Sequence, residues 1–79
     1  MTSEDLRQEL DKTPFVPLRL HLASGKTVDI PYPGIAWLQQ NALLIVHPLH
    51  RGTQEIGSYE VLALRLIERI EQIPEINAA

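Results

Sequence analysis

The chain has 79 residues, a formal net charge of −3 and no cysteine, so we expect one domain, residues 1–79, with little interior for a large active-site cavity and with neither disulfides nor thiolate metal sites. The net negative charge is the wrong sign for a protein whose affinity depends on phosphate contacts, which disfavours nucleic acid as a partner. The charged N-terminus is unlike a signal peptide and the longest apolar run, 42–46, is far too short to span a membrane, so we expect a cytoplasmic protein with no membrane association.

A short helix is predicted at the N-terminus. Thr2 is a good N-cap, and together with Asp5 it fits a capping box. Leu6 and Leu10 share one face at i, i+4 spacing, enough to lay the helix against a sheet. Pro14 pushes the residue before it out of helical geometry, so the helix ends before that proline.

A β-hairpin is the clearest pattern in the sequence. Apolar residues alternate with polar ones on both sides of a turn, at Leu18, Leu20, Leu22, Val28 and Ile30. A two-residue loop, 24–25, would set Leu20 opposite Asp29. A three-residue loop, 23–25, with Gly25 in a left-handed conformation sets Leu20 opposite Val28, and we therefore predict this register.

The middle of the chain contains a third strand between two irregular segments. Residues 31–34, Pro-Tyr-Pro-Gly, break strand pairing and suit a turn, and 35–40 fit either a single helical turn or an irregular stretch. The continuous apolar run 42–46 is typical of a strand covered on both sides or of an interface strand. Residues 47–54 are predicted to form the longest exposed loop and the most mobile part of the chain.

The C-terminal third, residues 60–73, fits two structures. A helical i, i+3, i+4, i+7 spacing is formed by Ala63, Leu66, Ile67, Ile70 and Ile73. Tyr59, Val61 and Ala63 alternate as in a strand, however, and β-branched isoleucines suit a sheet. Three strands with a long apolar face also need further partners to avoid open edges. From these residues alone, the choice between two short strands and one helix stays open.

Motifs spread over most of the chain resemble those of a group of short uncharacterised bacterial proteins. They are a Pro-Phe-x-Pro lead-in at 14–17, a strand that ends in a small-Gly-basic turn at 18–26, and a closing Ile-x-x-Ile-Glu segment within 64–71. The group has no assigned activity, so this resemblance implies no function.

At the level of fold, the element order resembles Sm-like and SH3-like small barrels. The resemblance implies an α+β, mostly β protein, in which an N-terminal helix accompanies a strongly bent five-stranded antiparallel sheet or a small barrel. It places a fourth strand after Tyr59, a tight 3₁₀ corner near 63–66 and a fifth strand over 67–73. The alternative is an α-β(3)-α arrangement with a C-terminal helix. At the positions where Sm proteins contact RNA, this chain has 31–34, Pro-Tyr-Pro-Gly.

No constellation of residues predicts catalysis, and we expect a protein that is not an enzyme. Isolated residues of three types could carry chemistry but have ordinary explanations: serines in a cap, a turn and a strand start (Ser3, Ser24, Ser58), scattered turn glycines (Gly25, Gly34, Gly52, Gly57), and glutamates interspersed with arginines (Glu68, Glu71, Glu75). We therefore predict no catalytic residues, no cofactor site and no cofactor.

A metal site built from the histidines is conceivable but not expected. His47 and His50 lie three residues apart with a proline between them, and His21 is the third histidine. Zinc needs three or four ligands with supporting acceptors, and these are missing, so we expect solvent-exposed loop histidines and no metal.

The leading hypothesis is a small non-enzymatic module that binds another copy of itself or a partner protein. Residues 43–46 cannot all face the interior of one thin barrel, so about half of them must be covered by the N-terminal helix or by another chain. The alternative is an atypical Sm-like RNA-binding protein.

Overall fold

A computed structural model describes residues 1–50 and 55–74 of the chain. The described part contains one helix and six strands, connected in places by 3₁₀ turns. The elements are α1 (Ser3–Leu10), β1 (Leu18–Leu22), β2 (Thr27–Ile30), a 3₁₀ turn (Pro33–Ile35), β3 (Ala36–Leu38), β4 (Ala42–Pro48), β5 (Ile56–Ala63), a second 3₁₀ turn (Leu64–Leu66) and β6 (Ile67–Gln72).

The predicted hairpin is confirmed with its register. β1 and β2 pair antiparallel with Leu20 opposite Val28 and Leu18 opposite Ile30. The loop is closed by the Leu22 amide, which donates to the Lys26 carbonyl at 2.9 Å. Gly25 has φ 91°, the left-handed conformation that a three-residue loop requires.

β6 joins the other side of β1, so the first sheet has the order β2-β1-β6. Leu20 lies opposite Ile70 in this pair, and the register shifts between His21 and Leu22. Chain segments about fifty residues apart in sequence therefore complete one sheet.

The second sheet has the order β3-β4-β5 and is also antiparallel. Its edge strand β3 occupies 36–38, within the segment for which a helical turn or an irregular stretch was predicted, and the helical turn itself lies earlier, at 33–35. β4 continues through Pro48, so the exposed loop predicted for 47–54 begins later than expected. Residues 51–54 of that prediction lie outside the described part of the chain.

The fold class, α+β and mostly strands, is confirmed, but the single bent five-stranded sheet and the closed small barrel are wrong. The strands form two separate three-stranded sheets in the described part of the chain. The break in pairing predicted at 31–34 is present, and Pro31 and Pro33 have no backbone N–H to donate to a neighbouring strand. The difference comes from the strand partners: the unexpected strand β3 pairs with β4, and β6 pairs with β1, so the strands divide between two sheets.

The C-terminal helix of the alternative fold is absent from the described residues. β5, a 3₁₀ turn and β6 occupy 56–72, as the resemblance to small barrels implies. Ile67 and Ile70 pair with Leu22 and Leu20 of β1, and Ile67 is only 2% exposed. Sheet pairing therefore overrides the helical periodicity.

The core lies between the inner faces of the two sheets, and α1 adds Leu6 to it. Thr2 caps this helix by accepting a hydrogen bond from the Asp5 amide at 3.2 Å. The fully buried side chains come from α1 and from both sheets: Leu6, Leu18, Leu20, Ile30, Leu43, Ile45 and Ile67.

Within residues 1–50 and 55–74, none of the helical segments has the length and apolarity needed to cross a membrane.

Candidate functional site

The second sheet exposes apolar side chains on the face that points away from the core. Side chains alternate along a strand, and Leu43 and Ile45 of β4 are fully buried on the inner face. Leu44 and Val46 therefore lie on the other face of the sheet, where Leu44 is half-buried and Val46 is buried, 7% exposed, as a member of the core cluster. The apolar run of β4 is thus divided between two faces, as predicted. The helix α1 contributes Leu6 to the core on the inner face, and this contact does not account for any covering of the outer face.

Neighbouring strands extend this outer surface. Leu44 lies opposite Trp37 of β3 and opposite Val61 of β5, and Val46 lies opposite Tyr59. Trp37 is 48% exposed, Val61 60% and Tyr59 66%. Residues directly opposite one another share a face of the sheet. We call the resulting surface the apolar face; it comprises Tyr32, Trp37, Leu44, Val46, Ile56, Tyr59 and Val61.

One end of the apolar face forms a shallow hollow. It is lined by Tyr32, Trp37, Val46 and Ile56, among others. The indole of Trp37 donates a hydrogen bond from Nε1 to the Gly34 carbonyl at 3.0 Å. A large, half-exposed aromatic ring is thus held in place by a hydrogen bond to the backbone.

The exposed area of the apolar face is comparable with the largest apolar patch of an ordinary monomeric protein. An aromatic side chain presents ~150–250 Å², and Tyr32, Trp37 and Tyr59 each leave about half or more of theirs in solvent. With Ile56 and Val61, the exposed apolar area is about 500 Å², within the ~300–600 Å² of such a patch, which is often functional.

β5 borders the apolar face and is an edge strand in the described part of the chain. The Leu64 amide donates to the Asn41 carbonyl at 3.0 Å, in line with the β4–β5 register. Hydrogen-bonded and non-hydrogen-bonded pairs alternate along an antiparallel ladder. The N–H and C=O groups of Tyr59, Val61 and Ala63 therefore point away from β4, toward the free edge.

The outer face of the first sheet has the opposite character. Arg19 of β1 donates two hydrogen bonds to Asp29 of β2, from Nε at 2.8 Å and from Nη2 at 3.1 Å. This contact raises the pKa of Arg19 above its ordinary value. Two strands are thus joined by a bidentate ion pair that faces water.

A second polar group lies beside this ion pair. His21 Nε2 is 2.8 Å from Glu71 Oε1, and Arg69 Nη2 is 3.1 Å from the same imidazole nitrogen. The hydrogen bond from His21 holds the pKa of Glu71 below its ordinary value, with further lowering by the charges of His21, Arg69 and Arg19. The outer face of β2-β1-β6 is therefore a charged, paired surface, which we call the polar face.

The histidines are not brought together into a metal site. His21 lies in β1 of the first sheet, whereas His47 lies in β4 of the second, where its Nε2 is 3.0 Å from Glu60 Oε1. Both are strand residues with glutamate partners. His21 was expected in the first strand, whereas the expectation of a loop histidine is wrong for His47. In residues 1–50 and 55–74, no group of three or more His, Cys, Asp or Glu side chains could hold a metal ion.

The serines that sequence reasoning considered have separate structural positions. Ser3 begins α1, and the Ser24 hydroxyl accepts a hydrogen bond from the Lys26 amide at 3.3 Å inside the hairpin turn. Ser58 is opposite His47 on β5, so serine, histidine and Glu60 share one face. His47 and Glu60 are each nearly half exposed on an open strand end, where water has free access to any reacting group.

Comparisons of the chain with protein-family models, with curated proteins and with solved structures find no match.

Sequence reasoning indicated two of the seven residues of this surface. The run 42–46 indicated an interface strand, and Leu44 and Val46 are on the apolar face. Trp37, Tyr59 and Val61 were missed as surface residues because their exposure depends on which strand lies next to β4. The alternation of Tyr59, Val61 and Ala63 was the available signal, since it gives these three residues one shared face.

Proposed function

We propose that this protein is a small non-enzymatic interaction module that docks on another protein chain through the apolar face. The observation that carries the proposal is the row Trp37, Leu44 and Val61, one apolar residue from each strand, on the side of the sheet away from the core. Water contact with such a patch costs about 25 cal/mol per Å², which a docked partner recovers.

The arrangement of the titratable groups supports a binding role over catalysis. Arg19 and Asp29 satisfy each other, and His21 with Glu71 and His47 with Glu60 form pairs on open sheet surfaces. An active site needs a cavity that excludes water and converging groups with unfilled hydrogen-bonding capacity. In the described residues, the exposed side chains of Tyr59 and Val61 lie outside the buried core.

The alternative, an atypical Sm-like RNA-binding protein, has less support. The net charge is −3, Arg19 is held by Asp29, and Lys12 is held by Glu9 at 3.0 Å. Phosphate contacts would have to displace these carboxylates. Titration of labelled oligonucleotides at two salt concentrations tests the alternative, because phosphate-driven affinity falls steeply as salt rises.

Photo-crosslinking in cells that naturally express this protein tests the docking proposal. A photoreactive amino acid at Val61, on the apolar face, is compared with the same amino acid at Thr27, an exposed residue on β2. We expect a discrete protein adduct from position 61, identified by mass spectrometry as either a second copy or another chain. Equal or absent adduct formation at the two positions would overturn the proposal.

A further inference from the structure

We propose that the chain that covers the apolar face is a second copy of this protein, with the two β3-β4-β5 sheets stacked face to face. The two-fold axis lies between the two sheets and runs along β4. This inference rests on the proposed function, since it names the partner of the same surface.

A two-fold axis along β4 exchanges the two sides of the apolar face. Trp37 of β3 and Val61 of β5 lie on opposite sides of Leu44. When two sheets face each other across this axis, the β3 side of one copy lies over the β5 side of the other. Trp37 of each copy therefore lies over Val61 of the other, and the two Leu44 side chains meet at the axis.

The apolar face is complementary in shape to itself about this axis. Its most exposed side chain is Tyr59, which is 66% exposed and lies beside Val46 on the β5 side. The hollow lies beside Val46 on the opposite side, where Tyr32, Ile35 and Trp37 line it. The axis thus sets Tyr59 of each copy over the hollow of the other, so that a projecting ring meets a concave surface.

The apolar face also carries no charge that would repel a second copy. The seven residues that define it include no acidic or basic side chain, although the whole chain has a net charge of −3. Like charges that meet across an interface oppose association. The ion pair of Arg19 with Asp29 lies on the polar face of the other sheet, outside this contact.

The area buried by face-to-face stacking is sufficient for a stable dimer, because stacking covers both apolar faces at once. About 500 Å² of exposed apolar surface per chain gives about 1,000 Å² for two chains, and interfaces between identical chains are about 65% apolar, so the total area is about 1,500 Å². Specific interfaces ordinarily bury about 1,200–2,000 Å². Two sheets stacked about 10 Å apart interdigitate their side chains in this way.

The fluorescence of Trp37 measures whether the apolar face is covered. Trp37 is the only tryptophan in the sequence, and it is 48% exposed. Sedimentation of the full chain from micromolar to millimolar concentration should show the mass rise from 8.9 kDa to twice that value. Over the same range, acrylamide quenching of Trp37 should fall several-fold and its emission should move to shorter wavelength. Pairing of two β5 edges would instead leave Trp37, on β3, in solvent.

Charge exchange tests the position of the axis. Val61→Asp and Trp37→Lys should each give monomers, because a charge then lies against an apolar side chain of the copy. An equimolar mixture of the two variants should restore the dimer, because the new carboxylate then faces the new ammonium group. A mixture of Val61→Asp with Tyr59→Lys is the matched control and should stay monomeric, since positions 59 and 61 lie on the same side of the axis. Thr27→Asp, at an exposed position of β2, should leave the dimer intact.

Two results would contradict the arrangement. A wild-type dimer in which Trp37 is quenched as strongly as in the monomer would overturn face-to-face stacking, and this measurement needs no variant to fold. With variants shown to be folded by circular dichroism, dimers in the control mixture, or none in the mixture of Val61→Asp with Trp37→Lys, would overturn the axis along β4.

The outcomes also separate this inference from the proposed function. A wild-type monomer at millimolar concentration, together with an adduct of another protein at position 61, would overturn the second copy and leave the docking role standing. A monomer without any adduct at position 61 would overturn both.

Discussion

The outer faces of the two sheets differ in chemistry although the sheets have the same number of strands and both bury leucine and isoleucine on their inner faces. The polar face consists of ion pairs and hydrogen bonds such as Arg19 with Asp29. The apolar face presents Trp37, Tyr59 and Val61, each about half exposed or more.

The two outer faces are both in contact with solvent, but they present different types of side chain to it. On the polar face, residues opposite one another are oppositely charged or hydrogen-bonded, which gives water polar atoms to contact. On the apolar face, the equivalent positions are aromatic or branched. Isolated exposed apolar residues are ordinary, but a contiguous row across three strands is typical of an interaction site.

The largest loss of stability should come from a charge placed in the core between the two sheets. Leu20→Asp places a carboxylate in the core, where Leu20 is fully buried. The cost is several kcal/mol against a total stability of roughly 5–10 kcal/mol, so we expect an unfolded chain by circular dichroism. Val61→Asp, on the apolar face, is the control and should still melt cooperatively. A cooperative Leu20→Asp variant would contradict the assignment of inner and outer sides.

The two sheets should respond differently to a side chain at Gly25, in the hairpin turn, and at Gly57, in β5. A Cβ at Gly57 would lie 2.9 Å from the Leu49 Cα, and backbone cannot move aside as a flexible side chain can. Gly57→Val should therefore lower the free energy of unfolding by about 2–3 kcal/mol. Gly25 has open space around it but a φ of 91°, so Gly25→Val should cost about 1–2 kcal/mol. Urea titration measures both, and the reverse order would mean that the backbone around Gly57 and Leu49 can move apart to accept a side chain.

Lysine substitutions define the boundary of the apolar face. Val46 is 7% exposed, next to the 3₁₀ turn that packs on β4, whereas Leu44 is only half-buried. Val46→Lys should lower stability by about 1.5–2 kcal/mol, and Leu44→Lys by at most about 1 kcal/mol. Urea titration at concentrations where the chain is monomeric provides the measurement. Equal, large losses in both variants would mean that β4 is covered on both sides within one chain.

The smallest effect concerns acid titration of the polar face. His21→Gln removes the hydrogen bond that lowers the pKa of Glu71, so this pKa should return toward the ordinary glutamate value in an NMR titration. Because the folded-state pKa is the lower one, the stability that the pair contributes is present above the unfolded-state pKa and is lost as pH falls through the folded-state pKa. His47→Gln, on the second sheet, should leave the pKa of Glu71 unchanged. An unchanged Glu71 pKa in His21→Gln would contradict this pairing.

Local patterns were sufficient for the helix and the first hairpin. Thr2 and Asp5 set the start of α1, and the alternation of leucines together with Gly25 set the register of β1 and β2. These elements are determined by contacts between residues close in sequence, where propensity, turn geometry and side-chain periodicity agree.

Other features were decided by the tertiary structure alone. The helical spacing over 60–73 was overridden by strand pairing, because β6 pairs with β1 and β5 pairs with β4. These neighbours satisfy the backbone N–H and C=O groups that a helix would have satisfied internally. The division of the strands into two sheets also followed from pairing. The sequence predicted the break at 31–34, but only the tertiary structure showed that 36–38 form a strand beside β4.

The candidate site shows the same division. From the sequence, the run 42–46 had to cover two faces, since alternate side chains of a strand point in opposite directions. Only the packed structure decided that the core and α1 cover one face and that Trp37, Tyr59 and Val61 extend the other into solvent. The physical reason is that alternation fixes which residues share a side, whereas burial depends on what the rest of the chain places against that side.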